Sequence, residues 1–297
     1  MTAGSLFAQT KLLLRRYDLK ARKRLGQHFL VNGQVLKTIL SAAEIAPDDT
    51  IVEVGPGLGI LTAKLAEQAG KVIAVELDDT LARLLKERLS QLPNLTVINE
   101  DILKLDPQTL LSATGVRSPQ YKVVANLPYY ITSPVLRHFL ESSAKPVRMI
   151  VMVQKEVAQA IVAEPGERSV LSVIAQFYGK PSIVSYVPAR SFYPAPEVDS
   201  AVLRIDVYPA PKVNVSDAKG FFQMVQAGFT ARRKQIANSL AQGLKLPKAE
   251  AARLLNKAEI SPQRRAETLT IEEWAKLWWT FEKLRKDGAY VHTAGTG

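Results

Sequence analysis

The sequence contains no cysteine, which excludes disulfides, thiolate zinc sites and cysteine nucleophiles together. Its three histidines, His28, His138 and His292, are too scattered to suggest a metal cage. No apolar run reaches the length of a membrane span, so the chain reads as a soluble protein. Internal repeats and low-complexity tracts are absent as well. Acid is missing from the first seventeen residues, which include Lys11, Arg15 and Arg16. Such a stretch mimics an organelle transit peptide but lacks the usual serine and arginine density, and a short basic arm fits as well.

What is present is enough for a folded protein. A chain of 297 residues, 47% hydrophobic and 23% charged, can bury one mid-sized catalytic domain with a smaller appendage. Lysine and arginine number 39 against 28 acids, a net charge of +11. Such a field favours polyanionic partners, with nucleic acid the first candidate.

The pattern Val35, Leu36, Ile39, Leu40 has helical spacing, and Pro47-Asp48-Asp49 breaks it before the buried-strand run Ile51–Val54. Further short apolar runs follow at Val72–Val75, Leu95–Ile98, Val123–Ala125 and Met149–Val153. Helical spacing separates the earlier ones, at Leu61–Ala66, with Gly70 read as its stop, and at Leu81–Leu89. This alternation predicts an open, doubly wound α/β sheet with ligands at the carboxyl ends of its strands. Ile183–Val187 and Ala201–Ile205 read as an antiparallel pair closing the sheet. Pro209 and Pro211 mark a linker, and helical patterning runs on to about residue 286. The expected domains are a basic arm over 1–24, a catalytic domain over 25–208, and a helical domain with a tail over 209–297.

Between the first strand and its helix lies Glu53-Val54-Gly55-Pro56-Gly57-Leu58-Gly59, where missing side chains let a ligand approach the backbone. The third glycine of a dinucleotide fingerprint would fall at Ile60. The G-x-G-x-G spacing instead resembles the first motif of class I methyltransferases. Glu76 ends the next strand, twenty-one residues after Gly55, where an acid can accept from both hydroxyls of a ribose. Asp101 and Ile102 follow the third strand, a carboxylate for an adenine amine and an apolar side chain for its ring. Singly, each is an ordinary turn or cap; in this order, three strand ends point one adenosine into one groove.

After the fourth strand comes Asn126-Leu127-Pro128-Tyr129-Tyr130. The Asn126 side-chain oxygen and the Leu127 carbonyl can both accept from an NH₂ group, Pro128 fixes the carbonyl's direction, and the Tyr129 ring offers a stacking face. An aryl amine needs positioning rather than a strong base, because its proton becomes acidic only as the new bond forms. A second aromatic element runs from Ser191 to Ser200 between the two late strands. There Pro194 and Pro196 stiffen the loop and present Phe192 as the other half of a clamp on an extruded adenine.

With Gly26-Gln27-His28-Phe29-Leu30, the glycine loop, Asn126–Tyr129 and Phe192–Ser200 in this order, the chain closely resembles the bacterial small-subunit (16S) rRNA adenine dimethyltransferases over about residues 20–270. The resemblance implies a class I, Rossmann-like methyltransferase sheet with a smaller all-helical C-terminal domain, and S-adenosyl-L-methionine as cofactor. It implies transfer of methyl groups to N6 of two adjacent adenines in the loop of the 3′-terminal rRNA helix. The expected substrate is rRNA in a partly assembled small subunit, met by a cytoplasmic monomer without membrane attachment. Cofactor contacts would fall to His28, Leu30, Gly55, Gly57, Glu76, Asp101, Ile102 and Asn126. His28 stands where many relatives have asparagine. Two basic clusters, one containing Arg22, Lys23 and Arg24 and the other Arg232, Arg233 and Lys234, would neutralise phosphates; a solvated helix face is the plain alternative. A large-subunit (23S) adenine methyltransferase of the erythromycin-resistance type is the nearest rival, disfavoured by Leu127, the Phe192 loop and the arginine-rich appendage. A non-catalytic RNA-binding relative is the other, disfavoured by intact Gly55, Glu76, Asp101 and Asn126.

Overall fold

A computed structural model describes residues 5–19, 21–22, 26–116, 120–231 and 233–287. The strands are β1 (Phe29–Leu30), β2 (Thr50–Val54), β3 (Lys71–Glu76), β4 (Leu95–Asn99), β5 (Lys122–Asn126), β6 (Arg148–Gln154), β7 (Gly179–Val187), β8 (Phe192–Tyr193) and β9 (Ser200–Val207). The helices are α1 (Leu6–Arg16), α2 (Gly33–Ala43), α3 (Ile60–Ala66), α4 (Asp79–Arg88), α5 (Pro107–Ala113), α6 (Thr132–Leu140), α7 (Lys155–Val162), α8 (Val170–Tyr178), α9 (Ala218–Gly228), α10 (Ile236–Gly243), α11 (Lys248–Lys257) and α12 (Ile271–Lys286). The chain divides into two compact units. One runs to Gln159 and resumes over Gly179–Pro209; the other comprises Ala160–Tyr178 and the chain from Ala210 onward.

In the first unit a seven-stranded sheet has the order β4-β3-β2-β5-β6-β9-β7. β2 to β6 pair in parallel, and β9 lies antiparallel between β6 and β7. The apolar runs read from the sequence are the central strands: every residue of β2 is buried, as are Val72–Glu76 and Val123–Ala125. A parallel strand covered on both faces is mostly apolar along its length. β7 instead alternates, exposing Lys180, Ser182, Val184 and Tyr186. As an edge strand it carries Pro181 and a register shift between Ile183 and Ser185, both of which blunt an open edge.

Helix ends follow local chemistry. The Asn32 side chain caps α2 by accepting from the N–H groups of Gln34 and Val35 at 2.9 and 3.3 Å, and Asp78 does the same for Thr80 and Leu81 at the start of α4. Gly70, read from sequence as a helix stop, has another reason to be glycine. α3 is already capped at Glu67, and an added Cβ at Gly70 would sit 2.6 Å from the Pro47 carbonyl oxygen. The basic segment at the N-terminus is helical over α1. Ser5 caps it, and Leu14 packs with Phe29, Leu58, Leu81 and Leu84.

An ionic network ties the amino ends of the parallel strands. Lys122, at the start of β5, meets Asp49 at 2.6 Å. Arg148 bonds both Glu44 and Asp206, at 2.6 and 2.7 Å, and Arg204 bonds the same two carboxylates at 2.5 and 2.8 Å. The Arg204 and Arg148 guanidinium groups hold the Glu44 carboxyl below its usual range. This is the end of the sheet away from the strand carboxyl ends, where a doubly wound fold keeps its ligands.

The second unit is helical. Its core stacks Phe177 of α8 on Phe221 at 5.2 Å and sets it edge-on to Phe222 at 5.1 Å. Arg168 bonds the Leu269 carbonyl and the Gln176 side chain. These contacts give residues 160–178 to the helical unit, whereas the sequence division placed them within 25–208. α12 begins with a capping box between Thr270 and Glu273. Gly228 leaves room for the buried Trp274 ring, because a Cβ there would lie 2.3 Å from it. Gly228→Ala is therefore expected to cost about 1–3 kcal/mol through overpacking. The check is a lower urea midpoint at unchanged slope.

Candidate active site

The order of strand placement reverses at β2: β3 and β4 lie to one side, β5 and β6 to the other. Loops leaving β2 and its neighbours diverge there and open a crevice. A cavity of about 310 Å³ occupies it, lined from the loops after β2, β3, β4 and β5, with β1 and Phe192.

Gly55 and Gly57 turn the loop after β2 with φ of 66° and 59°, conformations that strain any residue bearing a Cβ. A Cβ on Gly57 would also press on the Phe29 ring at 3.3 Å. Gly59, at φ 73°, serves packing instead, since a Cβ there would be 2.4 Å from Leu85. The loop is tied to the next strand: Gly57 N–H donates to Glu76 Oε2 at 3.0 Å, and Asp78 N–H donates to Oε1 at 2.9 Å. Burial pushes the Glu76 carboxyl up, against these stabilising bonds. Asp101 Oδ1 accepts from Leu103 N–H at 3.0 Å, and Asp101 lines the cavity together with the buried Ile102.

Asn126 ends β5. Its Nδ2 donates to the His28 carbonyl at 3.0 Å, which orients the amide, and the residue lines the cavity. The His28 ring Nδ1 meets the Pro194 carbonyl at 2.7 Å. A carbonyl can only accept, so Nδ1 carries the proton. The same ring stacks on Tyr129 at 5.9 Å, and the Tyr129 hydroxyl meets Ser200 Oγ at 2.7 Å. Backbone pairing of Phe29 with Tyr193 and of Leu30 with Phe192 completes the tie between the segment after α1 and the proline-stiffened loop.

All the residues named from sequence for catalysis and cofactor binding, His28, Leu30, Gly55, Gly57, Glu76, Asp101, Ile102, Asn126, Leu127, Pro128, Tyr129 and Phe192, line this one cavity. Their placement differs in two respects from the simple clamp. Phe192 is only 4% exposed and packs in the core rather than standing out from the loop. Tyr129 is half-buried, while Tyr130, to which sequence reading gave no role, is exposed and leans over Gly26. Glu53, a buried acid, also lines the cavity. It is 1% exposed, and among the described residues its Oε2 has no hydrogen-bond partner. Burial pushes its carboxyl up to about 8, opposed by Thr62 and reinforced by the Glu76 charge. Its signal in the sequence was a lone acid inside an apolar strand.

The basic residues fall differently. Arg22 is held, its guanidinium 3.1 Å from Asp78 and its N–H bonded to Gln27. Arg233 and Lys234 are exposed. Lys23, Arg24 and Arg232 lie outside the described residues.

Residues 18–277 match the family model described as ribosomal RNA adenine dimethylase. The chain belongs to the ribosomal RNA adenine dimethylase family. Among curated relatives of this dimethylase, the ribosomal RNA small subunit methyltransferase A of Dehalococcoides mccartyi is 52% identical, over 93% of this chain and 94% of its own. The protein of the same name from Moorella thermoacetica is 44% identical, over 91% and 95%. The 23S rRNA methyltransferase ErmE superposes with a TM-score of 0.65 at 29% identity, covering 86% of this chain and 99% of its own. A dimethyladenosine transferase from Plasmodium falciparum shares the fold, with a TM-score of 0.69 at 24% identity over 88% and 98% of the two chains. The dimethylase thus has the expected class I methyltransferase sheet with a smaller C-terminal helical part. Among the described residues no helix is long and apolar enough to cross a membrane.

Proposed function

We propose that this dimethylase transfers methyl groups from S-adenosyl-L-methionine to N6 of two adjacent adenines in the loop of the 3′-terminal helix of small-subunit (16S) rRNA. We further propose that it acts as a cytoplasmic monomer on a partly assembled small subunit. The observation that carries the reading is the fixed orientation of Asn126, which lines the cavity with its amide anchored on the His28 carbonyl. The relatives named small subunit methyltransferase A favour that substrate over the 23S RNA of the more distant ErmE.

The residues present fit the cofactor. Gly55 and Gly57 form a cradle that side chains would fill, Glu76 and Asp101 stand at successive strand ends to receive a ribose and an adenine, and His28 and Leu30 border the remaining wall. When bound, the cofactor supplies a methyl group on a positively charged sulfur. The chain's own task is to present a weak nucleophile to it. Asn126 Oδ1 and the Leu127 carbonyl accept the two N–H bonds of the target amine, which turns its lone pair out of the ring plane and toward the methyl. Pro128, at φ −57° and ψ 132°, fixes the turn that carries this carbonyl. Tyr129 and Phe192 flank the base. The amine's proton passes to solvent after attack, so no histidine or cysteine base is needed.

Incubation with labelled cofactor and undermethylated small subunits, beside large subunits and free rRNA, tests the reading. Primer extension should find two adjacent N6,N6-dimethyladenines in the small subunit; label confined to the large subunit would overturn it. For the basic cluster, Arg232→Ala with Arg233→Ala should flatten the dependence of log affinity on log salt by roughly 1.5, because fewer counterions are released. An unchanged slope in binding titrations would return the cluster to a solvated surface.

A further inference from the structure

The cavity is acidic in a basic protein. Glu53, Glu76, Glu100 and Asp101 line it, and no lysine or arginine does among the described residues, although the chain as a whole carries +11. Three of the four acids have evident partners: Glu76 accepts two backbone N–H groups, Asp101 caps a turn, and Glu100 accepts from the Asp101 N–H and faces Lys104. Glu53 differs. It lies in β2 among buried apolar neighbours, its Oε2 has no hydrogen-bond partner among the described residues, and it borders the cavity.

An ionised carboxylate with no counter-charge in such a place is costly, and the group avoids the cost by keeping its proton. We propose that Glu53 is the proton-coupled counter-charge of the cofactor site: neutral while the cavity is empty, it releases its proton to solvent when a ligand bearing a sulfonium and an ammonium enters. The inference rests on the cofactor reading above. The other groups facing this cavity are Glu76 from β3, Glu100 and Asp101 after β4, and His28, Tyr129 and Tyr130 at its walls, with the uncharged Thr62 of α3 packed beside Glu53.

The sign follows from linkage. Below about 8 the free protein holds the Glu53 proton. A bound cation lowers the tendency to hold it, so binding expels it and affinity rises with pH, by at most about ten-fold per pH unit, until it levels off above that value. The neutral ligand methylthioadenosine, which lacks both positive charges, should bind without this effect.

Calorimetric titration of the full-length protein at pH 7, in two buffers of different ionisation enthalpy, counts the protons. S-adenosylmethionine should release on the order of one proton, methylthioadenosine none. E53Q, which copies the neutral acid, should bind the cofactor without proton release and with an affinity that no longer climbs with pH. Wild-type binding without release overturns the inference, as does undiminished release from E53Q, which would assign the proton to His28 or another group. If the wild type binds neither ligand, the cofactor reading fails with it. The wild-type count stands even if E53Q does not fold.

Discussion

Asn126→Ala should lower single-turnover methyl transfer at least ten-fold, about 1.4 kcal/mol or more of lost transition-state positioning, while cofactor affinity falls far less. The asymmetry comes from what the side chain does. Its Nδ2 is spent on the His28 carbonyl, a bond that holds the wall, and its Oδ1 is the acceptor proposed for the amine. Alanine removes the acceptor and leaves the His28 carbonyl to a water at the cavity mouth. Asn126→Asp separates the two roles further: it keeps an acceptor for the amine but replaces the donor with a charge facing a carbonyl, so it should lose both cofactor affinity and turnover. Rapid-quench turnover beside calorimetric affinity checks the pair. Near-normal turnover in Asn126→Ala would remove the residue from the reaction.

Glu76→Gln should have the larger effect on binding. The carboxylate accepts from Gly57 N–H on one oxygen and from Asp78 N–H on the other. An amide can satisfy only one of them and turns its own NH₂ toward the second. Leaving a buried N–H without its acceptor costs about 1–3 kcal/mol, and the loop carrying Gly55 and Gly57 loses its anchor to β3. The expected result is a cofactor dissociation constant raised by roughly ten- to a hundred-fold, with a lower melting temperature. Unchanged affinity would show that the glycine loop holds its shape without Glu76 and that the ribose is held elsewhere.

Much of this site was legible in the sequence because its parts are local. A glycine turn after a mostly apolar strand, an acid at the next strand end and Asn-Leu-Pro-Tyr after another are each carried by consecutive residues, and the doubly wound rule brings strand ends together without coordinates. What escaped was non-local or ambiguous. β1 and β8 have two residues each, too few for any periodicity, and they pair across most of the first unit. Val170–Tyr178 is almost uniformly apolar, so spacing alone could not mark it as a helix. Glu53 was quoted within its motif yet given no role, since a sequence does not say which side of a strand faces a cavity. Tyr129 is half-buried and its neighbour Tyr130 exposed, a difference that two adjacent tyrosines in a short turn do not announce.

The placement of α8 bears on how the chain folds as it is made. Val170–Tyr178 emerges before β7 and β9, yet the aromatic rings that cover Phe177 belong to α9, which is synthesised only after those strands. The first unit therefore waits for its last two strands while a helix of the second is already present with its apolar face unburied. During translation, order runs against space: the helical unit is begun before the sheet closes and is finished after it.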